Sequence, residues 1–330
     1  LKKNKKYIVY GNGLRSFRKP HKNLLYVGNS GTLARMLIAL VATHPNLKVK
    51  VSGDNSLNKR DMKRIIKPLS KIGCTFYPKD KTTLPLTIEG TSMPLAQKHS
   101  ETLGSAQVKS AILLAAINTR GTTTVEEKKI SRNHTENILT AIKADIKIKK
   151  IKKNNLISLR GQENLSNFNL EIHGDPSSAA PFIVLTLLTA GSKLLIKNVN
   201  CNPTRIGFIK ILKKMNANIK IKNLRRASDS GELIGTIVTS SSKLKPITVS
   251  RNVAKFIDEI PILAVCASLT KGVSKFNNVG ELRHKESDRL VEVKKILTQA
   301  GIKCKITKDS MIIYGKDKIE TKNKLIFVKK

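Results

Sequence analysis

Four stretches of the chain repeat one order of elements, and that repetition limits the possible folds more than any single residue does. Each opens on a short polar turn and continues through an apolar helix, a strand, an amphipathic helix and a further strand. The first runs from Asn29 through a helix at Leu33 to Val41, the strand KVKVSG and a helix at Lys63 to Ile72. The second runs from Ser105 through a helix at Val108 to Ile117, the strand TTTVEE and a helix at Glu136 to Ala144. The third has helices at Ala180 to Leu188 and Ile206 to Met215 around KLLIKN, and the fourth has helices at Ile262 to Ala267 and Leu290 to Gln299 around VSKFNN. The second helices end at Gly73, Asp145, Asn218 and Gly301, spaced by 72, 73 and 83 residues. One such unit has two helices and a small sheet and cannot close a core alone, so several must pack together. The expected class is therefore α/β (α+β), and 330 residues suffice for two domains. Residues 1–28 read as the tail of an earlier unit and those after Ile306 as strands closing the fourth. The array is expected to be cut at both ends, in keeping with Leu1 where an initiator Met would stand.

Charge narrows the function. The formal net charge is +39, which admits a nucleic-acid partner, an anionic substrate or a plain excess of solvated lysine. The lysines are spread along the chain, and KIKKIKK at 147–153 reads as a strand with one solvated face. Trp is absent and aromatics are 4%, so the stacking platforms of single-strand binders are scarce, and no nucleic-acid partner is expected. No apolar run reaches the length of a membrane span, and the first residues lack a signal-peptide pattern. Cys74, Cys201, Cys266 and Cys304 are widely separated, without paired spacing or His at zinc-ligand intervals. A reduced, cytoplasmic setting and no metal are expected.

The densest charge lies in ELRHKESDRL, Glu281 to Leu290, where six of ten residues are charged and the signs interleave. Apolar residues at Leu290, Val293, Ile296 and Leu297 continue it at helical spacing, so a helix is expected to start near Lys285. Glu286 and Asp288 would then occupy its first turn, with Lys285 and Arg289 one turn apart on one face. Such a face suits an anion, although a solvated helix start with ordinary charge pairs has the same pattern. Similar alternatives hold elsewhere. Asn29 and Gly31 open a helix whose N–H groups could receive a phosphate, or form only a turn. Asp258 and Ser105 each precede a helix and could simply cap it.

Seven motifs, in order, resemble 5-enolpyruvylshikimate-3-phosphate synthase: GNSGTLAR from Gly28, GDNSLNKRDM from Gly53, GSAQVKSAILLA from Gly104, SRNHTE from Ser131, GDPSSAA from Gly174, IDEIPILAV from Ile257, and ELRHKESDRL. The resemblance spans essentially the whole chain, and the SAQVKSA and KESDRL forms look like the bacterial class that tends to be less sensitive to glyphosate. It implies an inside-out fold of six βαβαββ units, three in each of two domains, with the active site in the cleft between. Four units would be complete here, with 1–172 as one domain and 173–330 as the other. The implied reaction moves the enolpyruvyl group of phosphoenolpyruvate onto the 5-hydroxyl of shikimate 3-phosphate and releases phosphate, in a monomer without cofactor or metal.

By the same resemblance Asp258 accepts the hydroxyl proton and Glu286 delivers a proton to the methylene carbon. Lys285 holds the shikimate side, while Arg289 and Arg60 hold phosphoenolpyruvate. Gly31 lets a phosphate approach, Ser105 and Gln107 bind shikimate 3-phosphate, and Ser131 and Arg132 add a phosphate contact. GDPSSAA is assigned structure and no chemistry. Two positions depart from the pattern: Asp61 stands where the family has Pro after the arginine, and Ala106 replaces a serine found in one class. The family's lysine motif that precedes these, and its later Asp-His-Arg motif, are not in the sequence, so the 330 residues alone are expected to be nearly inactive. Two other readings are a UDP-N-acetylglucosamine enolpyruvyl transferase, which relies on a loop cysteine, and a basic RNA-binding repeat protein.

Overall fold

The computed structural model describes residues 2–3, 6–285 and 287–318. They form two compact units, Leu1–Ser131 with Ile138–Phe168, and Arg132–Asn137 with Asn169–Lys330. The second unit therefore takes six residues out of the middle of the first, which nothing in the sequence pattern announced.

In the first unit, a two-stranded antiparallel pair, β1 (Lys2–Lys3) and β2 (Lys6–Tyr7), precedes two βαβαββ repeats. The first repeat is β3 (Leu24–Tyr26), α1 (Gly31–Ala42), β4 (Lys48–Ser52), α2 (Lys63–Ile72), β5 (Thr75–Tyr77) and β6 (Leu86–Glu89), with sheet order β3-β4-β6-β5. The second is β7 (Lys98–Glu101), α3 (Ala106–Ile117), β8 (Gly121–Glu127), α4 (His134–Ala141, of which the first four residues count with the second unit), β9 (Ile146–Ile151) and β10 (Asn154–Gly161), in the same order β7-β8-β10-β9. The first two strands of each repeat run parallel and the other pairings are antiparallel.

The second unit repeats the plan. Its first repeat has α5 (Pro176–Leu188), β11 (Lys193–Asn200), α6 (Gly207–Lys214), β12 (Asn218–Arg226) and β13 (Leu233–Ser240), with the leading strand reduced to a parallel bridge between Gly174 and Val199. The next has β14 (Thr248–Val249), α7 (Ile260–Ser268), β15 (Gly272–Asn277), α8 (Arg289–Gln299), β16 (Lys303–Ile306) and β17 (Ser310–Gly315), in order β14-β15-β17-β16. The residue pattern had shown only one strand after the second helix and none before the first. The leading strands span two to four residues or a single bridge, too few for an alternation to register.

The first, second and fourth repeats bury their first helix more fully than their second. In α1, Ala34, Ile38 and Ala39 are fully buried, and in α3 Ala111, Ile112 and Leu113 are; the two helices pack on each other. The second helices α2, α6 and α8 keep a solvated lysine face, as in α2, where Ile65, Leu69 and Ile72 are buried. Two separate cores result, one around Ile38, Leu69, Ile88 and Ile112, the other around Ile183, Phe208, Leu263 and Phe276. Three repeats share a glycine where the last strand passes the end of the first helix. A Cβ at Gly90, Gly161 or Gly315 would lie 2.3, 1.9 or 2.1 Å from the carbonyl oxygen of Val41, Ala116 or Ala267 in that helix, so only glycine fits. Strand β9 is an edge of its sheet, and both its faces are solvated, with Ile148 and Ile151 about half exposed. The one-sided burial read into KIKKIKK does not occur; lysines instead guard an open edge. Among the described residues no helix is long and apolar enough to cross a membrane.

Candidate active site

In the first unit the expected residues gather at the starts of α1 and α3. Ser30 caps α1, its Oγ accepting the Leu33 N–H at 3.2 Å, while Asn29 donates to Asp54 at 2.6 Å. A Cβ on Gly31 would lie 2.8 Å from Nη1 of Arg60 and 3.2 Å from Nη1 of Arg35, so the absent side chain makes room for two guanidinium groups over the first helical turn. Arg35 donates to Oε1 of Gln107, whose Nε2 donates to Thr32 Oγ1 at 2.8 Å. Ser105 does cap α3, its Oγ accepting the Val108 N–H at 3.3 Å. Two positive helix ends and two arginines in one place form a ready anion site. Arg35 was not singled out from the sequence, although it ends the GNSGTLAR motif. The Asp61 carboxylate beside Arg60 accepts the Lys63 N–H at 2.7 Å, at the beginning of α2. Ser131 gives both its N–H and its hydroxyl to Glu127, at 2.7 and 2.5 Å, and Glu127 is also paired with fully buried Lys109 at 2.8 Å.

This geometry sets an expectation for Gly31→Ala. The added methyl leaves the helix at least as stable, since alanine is the better helix former, but displaces Arg60. Affinity for an anionic substrate should fall about ten-fold, the scale of one weakened charge-assisted hydrogen bond. Unchanged substrate titrations would remove Arg60 from the site.

In the second unit Asp258 lies at the centre of a cation cluster. Arg132 Nη2 donates to Oδ2 at 2.6 Å, and Lys285 Nζ and Arg289 Nη1 lie 3.1 and 3.5 Å from Oδ1. Burial works to raise its pKa, but the charges of Lys285 and Arg132 outweigh that and hold the carboxyl below the usual range. Asp258 is not a helix cap: it sits in a 3-10 turn, Ile257–Glu259, before α7 begins at Ile260. The helix expected from Lys285 starts instead at Arg289. Asp288 caps it, accepting the Val291 N–H at 3.1 Å while paired with Arg283 at 2.5 Å. Aspartate is a strong N-cap and stops the helix from extending backward. Lys285 is consequently extended, with φ −83° and ψ −159°, and reaches Asp258 from outside the helix that carries Arg289. Glu286 lies outside the described residues.

Next to this cluster, Glu259 is buried, accepts the Ser177 hydroxyl on Oε1 and has no partner for Oε2 among the described residues; burial pushes its pKa up. GDPSSAA shapes the chain here: Asp175 accepts the Ser178 N–H at 3.0 Å as the cap of α5 and pairs with Arg205. All four cysteines are buried thiols, with burial pushing Cys74 and Cys266 up to about 12 and Cys201 to about 11, so none is poised as a loop nucleophile.

A family model for EPSP synthase (3-phosphoshikimate 1-carboxyvinyltransferase) matches residues 1–325. The chain belongs to the EPSP synthase family. Relatives named 3-phosphoshikimate 1-carboxyvinyltransferase include one from Acidiphilium cryptum, 39% identical over 92% of this chain and 68% of its own length. Another, from Oceanobacillus iheyensis, is 40% identical over 96% of this chain and 72% of its own. A solved EPSP synthase from Acinetobacter baumannii superposes with a TM-score of 0.76 at 38% identity, covering 90% of this chain. This chain spans 66% of that structure. The enolpyruvyl transferase NikO from Streptomyces tendae shares the fold at a TM-score of 0.61 and 14% identity. The four βαβαββ repeats are thus those of the EPSP synthase fold.

Proposed function

We propose that this EPSP synthase family member transfers the enolpyruvyl group of phosphoenolpyruvate to the 5-hydroxyl of shikimate 3-phosphate, releasing phosphate. The observation that carries the reading is the convergence of Arg132, Lys285 and Arg289 on Asp258. Three cations held around one partly exposed carboxylate can exchange it for the phosphate and carboxylates of two anionic substrates. As they turn to the substrates, Asp258 loses the charges that depress its pKa and becomes a stronger base, free to take the 5-hydroxyl proton. Glu286 is the acid assigned to protonate the methylene carbon, so that the hydroxyl oxygen can bond to the adjacent carbon. In the first unit, Arg35, Arg60 and the starts of α1 and α3 offer charge and N–H groups that suit a phosphate or carboxylate.

The test measures phosphate release with both substrates, by the 330-residue chain and by the same chain extended at both ends with the segments its relatives carry. The extended protein is expected to release phosphate only when both substrates are present. Absence of phosphate release from the extended protein, with shikimate 3-phosphate failing to bind it, would overturn the reading.

A further inference from the structure

Arg132 reaches Asp258 from a segment, Arg132–Asn137, that is otherwise separated in sequence from everything it touches in the second unit. Its neighbours are gathered by one buried acid. Oε1 of Glu232 is met by His134 Nδ1 and by Asn137 Nδ2, both at 2.8 Å. Because a carboxylate can only accept, the His134 hydrogen sits on Nδ1. Oε2 accepts from Asn200 at 3.2 Å and from Asn202 at 3.0 Å, and Asn202 also donates to Asn133 Oδ1 at 2.8 Å. Asn200 ends β11, and Glu232 leads directly into β13, which pairs with β11 across the sheet. One side of the network is thus rooted in the sheet and the other consists of three of the six residues of the segment.

We propose that Glu232 is a positioning residue, holding Arg132–Asn137 so that the Arg132 guanidinium is presented at Asp258. This rests on the reading of the Asp258 cluster as the substrate site. The acid keeps its charge across the working range: burial works to raise its pKa, but the hydrogen bonds from His134, Asn202 and Asn137 outweigh that and hold it at about 2. Its side chain makes no part of the apolar core, which β13 fills with Ile234 and Ile237. The network can therefore be broken without opening that core.

Glu232→Gln keeps the size but turns one acceptor into a donor that faces other donors. In the 330-residue chain, amide hydrogen exchange of 132–137 should quicken about ten-fold or more, while the interior of β13 stays protected. In the extended protein, shikimate 3-phosphate affinity should fall about ten-fold or more, in line with one lost charge-assisted contact. Arg132→Gln should weaken it similarly, and the double variant should be no weaker than Arg132→Gln alone. A merely structural role would lower thermal stability and multiply the two losses. Unchanged exchange at 132–137, or losses that multiply, would overturn the proposal. If the parent does not bind shikimate 3-phosphate, the substrate reading fails, and the exchange result still decides whether Glu232 holds the segment.

Discussion

Asp258→Ala in the extended protein should lower kcat by about 10²-fold or more, the usual scale for a positioned acid or base. The Asp258 carboxylate is the only acidic partner that the described contacts give to Arg132 and Lys285, at 2.6 and 3.1 Å. Removing it leaves those cations without that partner and open to an anionic ligand. Shikimate 3-phosphate should therefore bind with an affinity within a few-fold of the parent, or better, while turnover collapses. That split between binding and kcat separates loss of a base from loss of a binding group. Near-normal turnover would remove Asp258 from the chemistry. Proportional losses of kcat and of substrate affinity in the titration would make it a binding residue.

Lys109→Met should give the largest loss of stability. Lys109 and Glu127 are 0% and 1% exposed and 2.8 Å apart, and removing one partner of a buried pair leaves a charge without compensation. The expected cost is about 3–5 kcal/mol, which for a unit of this size lowers the melting temperature by roughly 10 °C. The pH dependence has a definite sign. In the parent, the Lys109 charge and the hydrogen bonds from Ser131 outweigh burial and put the folded pKa of Glu127 below its unfolded value. The stabilisation is therefore present above about pH 4.3, the unfolded value, and is lost as pH falls through the folded pKa. In the variant the hydrogen bonds from Ser131 are left to oppose burial without the Lys109 charge, so the folded pKa of Glu127 rises above its value in the parent. The deficit relative to the parent should then be largest at neutral pH and shrink in acid. Melting curves at several pH values check this, and adding Glu127→Gln should restore part of the loss. A deficit that does not vary with pH would show that packing of the lysine stem, rather than its charge, is what matters.

The sequence by itself determined the repeated helix pairs, the family and most of the residues that gather at the two charged places. Helices are legible because their determinants are local: α2 was read at its observed limits, Lys63–Ile72, from apolar spacing and from the Gly73 that ends it with φ +113°. The short leading strands were not legible, because a two-residue strand such as β14 exists only through its pairing with β15. The start of α8 was misplaced by four residues because a charge run has helical spacing whether or not Asp288 caps it. The tertiary structure alone showed that Asp258 is no cap and what surrounds it. The local pattern could not bring Arg132, 126 residues earlier, or Lys285 and Arg289 beyond it, to its carboxylate. Glu232 drew no attention in the sequence for the same reason: its partners lie 30 to 98 residues away. A side chain's electrostatic environment is set by which distant elements the fold brings within a few ångströms, and that information is carried by the packing of the repeats and not by the residues on either side.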